Sequence, residues 1–157
     1  MKNIFGWYNN FREISLSHKF IEFINKICLK LKNMKTENII LDKSKKFALR
    51  IIKLYKYLCS EKHEFVMSKQ ILRSGTSIGA NVREGNRGQT KPDFITKMSI
   101  AYKEADETSY WLELLYESGY LNKKSFESIY EDNLELLRLL SSIIITSRRN
   151  LKFQTNK

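Results

Sequence analysis

The sequence is poor in the residues that punctuate or cross-link a chain. One proline and six glycines stand in 157 residues, too few turn formers for a sandwich or barrel of many short strands. Two cysteines, Cys28 and Cys59, cannot make a disulfide framework or, by themselves, a four-ligand zinc site. No run approaches the ~18 apolar residues of a membrane-spanning helix. The N-terminus has no apolar core followed by a small-residue cleavage site, so it does not read as a signal peptide. What is abundant is apolar material, at 42%, and charge: 28 Lys and Arg against 17 Asp and Glu, a net +11. That apolar content is too high for disorder, and the length suits one domain with a sizeable core. The expectation is a soluble, basic, all-α protein of the cytoplasm that needs no cofactor and no metal.

The charge is unevenly placed. Residues 1–41 carry seven cations and three acids, residues 42–103 fourteen and five, and residues 104–157 seven and nine. The balances are +4, +9 and −2. A localised basic stretch points to a polyanion, most often nucleic acid; a solvated face that keeps the protein soluble is the plainer alternative.

Four helical segments are expected after residue 41. The first runs from Asp42, read as its N-cap, to Lys62, with Phe47, Ala48, Ile51, Leu54, Tyr55 and Leu58 as its apolar stripe. Lys45, Lys46, Arg50, Lys53 and Lys56 take the remaining arc. The second runs from Phe65 to Gly88. Met67, Ile71, Gly75, Ile78 and Val82 form its buried stripe, where Gly75 and Gly79 would let another helix come close. Lys69, Arg73, Arg83 and Arg87 lie opposite, Lys91 follows, and Gln70, Ser74, Ser77 and Asn81 make a polar strip between the faces. The third opens at Pro92, a suitable first residue, and Phe94, Met98, Ala101, Ala105, Leu112 and Leu115 line its core. Gly119 suits the left-handed residue that ends a helix. The fourth starts at Asn122, with Phe126, Tyr130, Leu137, Leu140 and Ile144 as its main stripe.

Short links favour antiparallel neighbours, so the expected architecture is an up-down-up-down four-helix bundle over residues 37–150. Residues 1–36 read as an appendage and 151–157 as a disordered tail. Met34 looks like a natural start, which makes upstream residues 1–33 an expected translation artefact. Helix four has a second apolar strip, Ile129, Leu136, Leu139 and Ile143, and helix three has off-face Tyr110 and Leu114. One stripe suffices for a monomeric bundle, so these six are expected to bury against another subunit in a homo-oligomer.

Chemistry has little to work with. His63 sits in a charged turn beside Glu61 and Glu64 and reads as surface. Arg12 with His18 is the one pairing that could suggest a helical-bundle nuclease. Asp106, Glu107, Glu113 and Glu117 read as a solvated face without the Glu-x-x-His spacing of di-iron bundles. Cys28 and Cys59 read as small buried hydrophobes. Gly85-Asn86-Arg87-Gly88 follows a helix, whereas a phosphate loop precedes one. The basic face remains, with cations spaced to meet phosphates. Tyr57 is the single aromatic on its first-helix arc, a weak sign of single-strand stacking.

Ser77-Ile78-Gly79-Ala80-Asn81-Val82-Arg83-Glu84-Gly85 resembles the S-I-x-x-N-I/V-x-E-G signature of the four-helix-bundle proteins of the 23S ribosomal RNA intervening-sequence family. Asp93-Phe94, Ile100-Ala101, Glu104-Ala105, Glu107-Thr108 and Trp111 to Leu115 look like that family's third helix, and Glu117 to Leu121 like its following turn. The resemblance covers about residues 37–150. It implies a four-helix bundle and ring-like homopentamers. One branch, the accessory proteins of diversity-generating retroelements, binds nucleic acid and a reverse transcriptase. No enzyme is known in the family.

The function expected from these readings is a non-catalytic, oligomeric protein. It would bind RNA or DNA through Lys45, Lys46, Arg50, Lys53, Lys56, Lys69, Arg73, Arg83, Arg87 and Lys91, as an accessory factor of RNA or a reverse transcriptase. A protein–protein adaptor without nucleic-acid affinity is the alternative.

Overall fold

The computed structural model describes the backbone of residues 4–155 and the side chains of residues 21–26, 28 and 39–151. Among the described residues the protein is all-α. Its helices are α1 (Ile4–Glu61), α2 (Met67–Gly85), α3 (Lys91–Glu117) and α4 (Lys123–Thr155). The chain divides into two compact units, Met1–Glu37 and Asn38–Lys157. In the first, Ile21, Phe23 and Ile24 are exposed and Glu22 pairs with Lys26. The second holds the core and every contact described below.

Asp42 does not cap a helix. It lies exposed inside α1 and pairs with Lys46 one turn on, at 2.6 Å. The reason is in the upstream sequence: no proline or glycine falls between Gly6 and Glu61. A capping residue permits a start, but only a breaker enforces a stop.

The α1–α2 turn is built by Glu64, a buried carboxylate. One of its oxygens accepts from the N–H groups of Val66 (2.9 Å) and Met67 (2.8 Å), the other from Ser68 N–H at 2.6 Å. The Ser68 hydroxyl donates back to the Glu64 carbonyl at 2.8 Å. Burial pushes the Glu64 carboxyl up. The donors of Met67, Val66 and Ser68 outweigh it and hold the group below its ordinary value. His63 sits at φ 51°, exposed. Because Glu64 serves three N–H groups, α2 begins at Met67 rather than Phe65, and it ends at Gly85 rather than Gly88.

Helix α3 begins at Lys91, one residue before Pro92. Its cap is Thr90, whose hydroxyl oxygen accepts from Asp93 N–H at 3.2 Å. Gly119 adopts φ 79°, and the N–H groups of Tyr120 and Leu121 both return to the Leu115 carbonyl. Asn122 caps α4 through its side-chain oxygen, which accepts from Ser125 N–H at 2.9 Å. The helix continues to Thr155, past the expected bundle boundary at 150.

Each helix of the second unit meets two others. Ser44 and Ile51 of α1 lie against Gly79 and Gly75 of α2. Ser74 of α2 faces Thr108 of α3, and Gly85 faces Met98. Asn133 of α4 reaches Ala105 and Ser109 of α3, and Tyr130 reaches Glu113. Lys43 and Arg50 of α1 reach Glu135 and Asp132 of α4. In every pair the residue numbers rise along one helix as they fall along the other. Phe47, Ile51, Leu58, Ile71, Ile78, Val82, Met98, Ala101, Ala105, Leu112, Leu115 and Leu140 are buried between them.

The two α1–α2 glycines are where the backbones close in. A Cβ on Gly75 would lie 2.7 Å from Ile51 Cγ1, and one on Gly79 would lie 3.3 Å from the Ser44 carbonyl oxygen. The polar strip on α2 resolves unevenly. Ser74 is buried and accepts from the Thr108 hydroxyl of α3 at 3.0 Å, whereas Asn81 bonds within its own helix to the Ser77 carbonyl.

The α4 stripes require a correction. Ile129, Leu136 and Ile143, expected at a subunit interface, belong to the protein's own core, with Leu136 1% exposed. The buried line is Ile129, Asn133, Leu136, Leu140 and Ile143. It passes through Asn133, whose amide donates to the Ala105 carbonyl and the Ser109 hydroxyl, both at 2.8 Å. Leu139 is half-buried against the core and Leu114 half-buried, while Tyr110 is exposed.

Candidate nucleic-acid interface

The cations expected to meet phosphate do not form one surface. α1 presents two flanks. On the flank facing α4, Arg50 donates to the Asp132 carboxylate, to the Ser128 carbonyl at 3.0 Å and to the Ser128 hydroxyl at 3.0 Å. Arg50, expected to meet phosphate, is thus engaged in a helix–helix clasp. Lys43 joins that clasp through Glu135 at 2.7 Å, and the carboxylate raises its pKa. Lys46 is exposed but engaged by Asp42.

On the flank facing α2 the picture inverts. Lys45 of α1, Arg83 of α2 and Arg87 of the turn that follows it line one open groove of about 770 Å³, with Leu41, Ala48, Thr76, Gly79, Ala80 and Asn86 as its apolar and small polar lining. All three cations are exposed and have no acidic partner among the described residues. The groove exists because its floor is small: Ala48, Gly79 and Ala80 leave room above the close α1–α2 crossing. Asp42 is its one acid, already engaged by Lys46.

The remaining cations are scattered. Lys53, Lys56 and Lys69 are exposed. Lys91 lies over the Phe94 ring at 5.6 Å. Arg73 stands near Glu104 of α3. Burial raises the Glu104 carboxyl above its ordinary value, Glu107 adds to this and Arg73 opposes it. One Glu104 oxygen is buried without a hydrogen-bond donor.

Arg83 and Arg87, expected on one helix face, do line one groove, but Arg87 does so from the turn after α2. Sequence spacing missed Thr76 and Asn86 as lining, and it missed that Arg50 faces away. The signal for the groove was the small pair Gly79-Ala80.

The acidic face of α3 is less solvated than its composition suggests. Glu107 accepts from the Trp111 indole at 3.1 Å, and Glu113 accepts from the Tyr130 hydroxyl at 2.6 Å. Cys28 is exposed, against the expectation of burial, and Cys59 is half-buried, with its sulfur 3.8 Å from the Ser68 hydroxyl. Arg12 and His18 lie outside the residues whose side chains are described. No described helix is long and apolar enough to cross a membrane.

The nine-residue pattern singled out in the sequence now has physical roles. Ile78 and Val82 are core, and Asn81 ties back to Ser77. Glu84 pairs with Lys97 of α3. A Cβ on Gly85 would lie 2.7 Å from Met98 Cε and 3.1 Å from Lys97 Cβ, so this glycine sets the α2–α3 approach. Gly79, Ala80 and Arg83 face the groove, and Arg83 is the charged one.

Comparison with known proteins agrees with that pattern. No curated protein matches the chain. A crystal structure of a protein with unknown function from the S23 ribosomal protein family of Bacteroides thetaiotaomicron is 57% identical. It superposes with a TM-score of 0.69, and the match covers 69% of this chain and 97% of that one. The family model for 23S rRNA-intervening sequence protein matches residues 36–142. The chain belongs to the family of 23S rRNA-intervening sequence proteins.

Proposed function

We propose that this protein is a non-catalytic, up-down-up-down four-helix bundle that binds nucleic acid along its α1–α2 face, as an accessory factor of RNA or a reverse transcriptase. One observation carries the reading. Lys45, Arg83 and Arg87 converge on one open groove with no carboxylate left to neutralise them. Unpaired cations at such spacing release counterions when they meet phosphates, which gives affinity without sequence preference. The antiparallel register of the four helix pairs supports the bundle topology. An oligomer would rest on Tyr110 and Leu114, the members of the expected interface that the core does not absorb.

The test is a salt titration of RNA and DNA binding by wild type and R83E/R87E. Affinity should fall linearly with log salt, and the double variant should show a shallower slope on every sequence. Binding that ignores both salt and the substitutions defeats the reading. A nuclease-treated pull-down that retains a protein partner would favour an adaptor instead. A light-scattering mass of one chain would remove the oligomer.

A further inference from the structure

The α1–α2 pair has a second unusual surface, at the end closed by its turn. The turn draws its own acid inward: Glu64 spends its carboxylate on the N–H groups of Val66, Met67 and Ser68. With that charge buried, the next two side chains stand outward. Phe65 is 51% exposed and Val66 74%. Tyr57, near the end of α1, is also exposed, with Lys62 Nζ 5.9 Å from its ring centroid. Lys56, Lys62 and Lys69 are exposed around the turn, and Glu61 is the one exposed acid there.

This tip continues the basic face rather than standing apart from it. Lys69 and Arg83 lie on the same helix, fourteen residues apart, which is ~21 Å at the helical rise. That length spans several phosphates of a nucleic-acid strand. An exposed ring next to cations is the arrangement that holds single strands, because an unpaired base offers a free π-face and a base inside a duplex does not. Lipid is the weaker occupant, since the tip has only two adjoining apolar side chains and no apolar helix face behind them.

We propose that Phe65 is a stacking platform for unpaired bases of a strand whose phosphates run along the α1–α2 face toward Arg83 and Arg87. The inference rests on the nucleic-acid reading above and adds the class of ligand, one with an unpaired segment. Val66 extends the same apolar edge.

The experiment uses the full chain in anisotropy titrations with two probes of equal phosphate number, a mixed-sequence single-stranded RNA and a hairpin-closed duplex. Phe65 is exposed, so its substitution does not open the core. Phe65→Ala should lose about tenfold on the strand and under about twofold on the duplex, and Phe65→Trp should restore the strand. Equal losses on both probes, or no loss on either, overturn the platform. So does strand binding that survives Phe65→Ala while binding to phosphatidylserine vesicles is lost. R83E/R87E separates the two proposals. If it leaves both probes bound, the groove fails, while strand selectivity of Phe65→Ala still upholds the tip.

Discussion

The two flanks of α1 carry similar cations and use them oppositely. Toward α4, Lys43 and Arg50 each find a carboxylate, Glu135 and Asp132, and become part of the packing. Toward α2, Lys45 meets Arg83 and Arg87 across a groove, and no acid is left to answer them. The difference lies in the partner, because α4 supplies acids at the facing positions, whereas α2 and the turn after it supply arginines. A net charge says how many cations a chain has, and only the helix pairing says which of them stay available. The two seams differ in spacing as well. Glycines bring α1 and α2 close, whereas long side chains bridge α1 and α4.

The largest expected effect tests availability directly. R83E/R87E should weaken nucleic-acid binding by about a hundredfold near 0.1 M salt, whereas Arg50→Glu should change it by under about threefold. Anisotropy titrations measure both. Equal losses would mean that pairing does not decide which cations bind, and the contrast between the flanks would collapse.

Next in size is the turn that closes the α1–α2 seam. Glu64→Ala removes one acceptor group from three N–H donors and should cost about 2 kcal/mol in urea unfolding. The pH dependence has a definite sign. The folded Glu64 carboxyl is held below the ordinary 4.5 of the unfolded chain. Its stabilisation is therefore complete above pH 4.5 and is lost as pH falls through the folded value. The gap between wild type and Glu64→Ala should narrow on acidification below that point. A gap that stays constant would show that the charged acceptor is not what holds the turn.

The close approach of the same seam comes third. A methyl at Gly75 would press on Ile51, a strain of about 1–3 kcal/mol, while alanine returns about 1 kcal/mol of helix propensity. Gly75→Ala should thus be destabilising by about 1 kcal/mol net. A stabilised variant would show that Ile51 moves aside freely and that the glycine is not needed for spacing.

How much of this could be read from the sequence varied by helix, for physical reasons. On α3 the residues Phe94, Met98, Ala101, Ala105, Leu112 and Leu115 recur at helical spacing and all are core, because these apolar residues form one line along the helix. On α4 two apolar strips compete, and the true one contains Asn133. That polar residue disguises the line, since its two partners on α3 are far away in sequence. Asp42 misled as a cap because its chemistry suits a start that nothing upstream requires. Arg83 could be placed beside the small pair Gly79-Ala80 by counting residues, whereas Arg87 joins it from the turn after α2. The loss of Arg50 to α4 could not, because it depends on an aspartate 82 positions away.

The smallest expected effect sharpens the comparison from the paired side. Arg50 and Asp132 are both partly exposed, at 39% and 43%, so water screens their attraction and an exposed ion pair contributes about 0.2–1 kcal/mol. The guanidinium also satisfies the Ser128 carbonyl and hydroxyl, which moves the estimate for Arg50→Ala toward the upper end, about 1 kcal/mol. Nucleic-acid affinity should hold within about twofold, since the lost cation was already neutralised. Asp132→Ala is the more searching variant. It releases Arg50 without removing it, and if the ligand stays on the α2 side of α1, the freed charge gains nothing. Tighter binding with a steeper salt slope would place phosphates on both flanks, and the division between a packing seam and a binding seam would no longer hold.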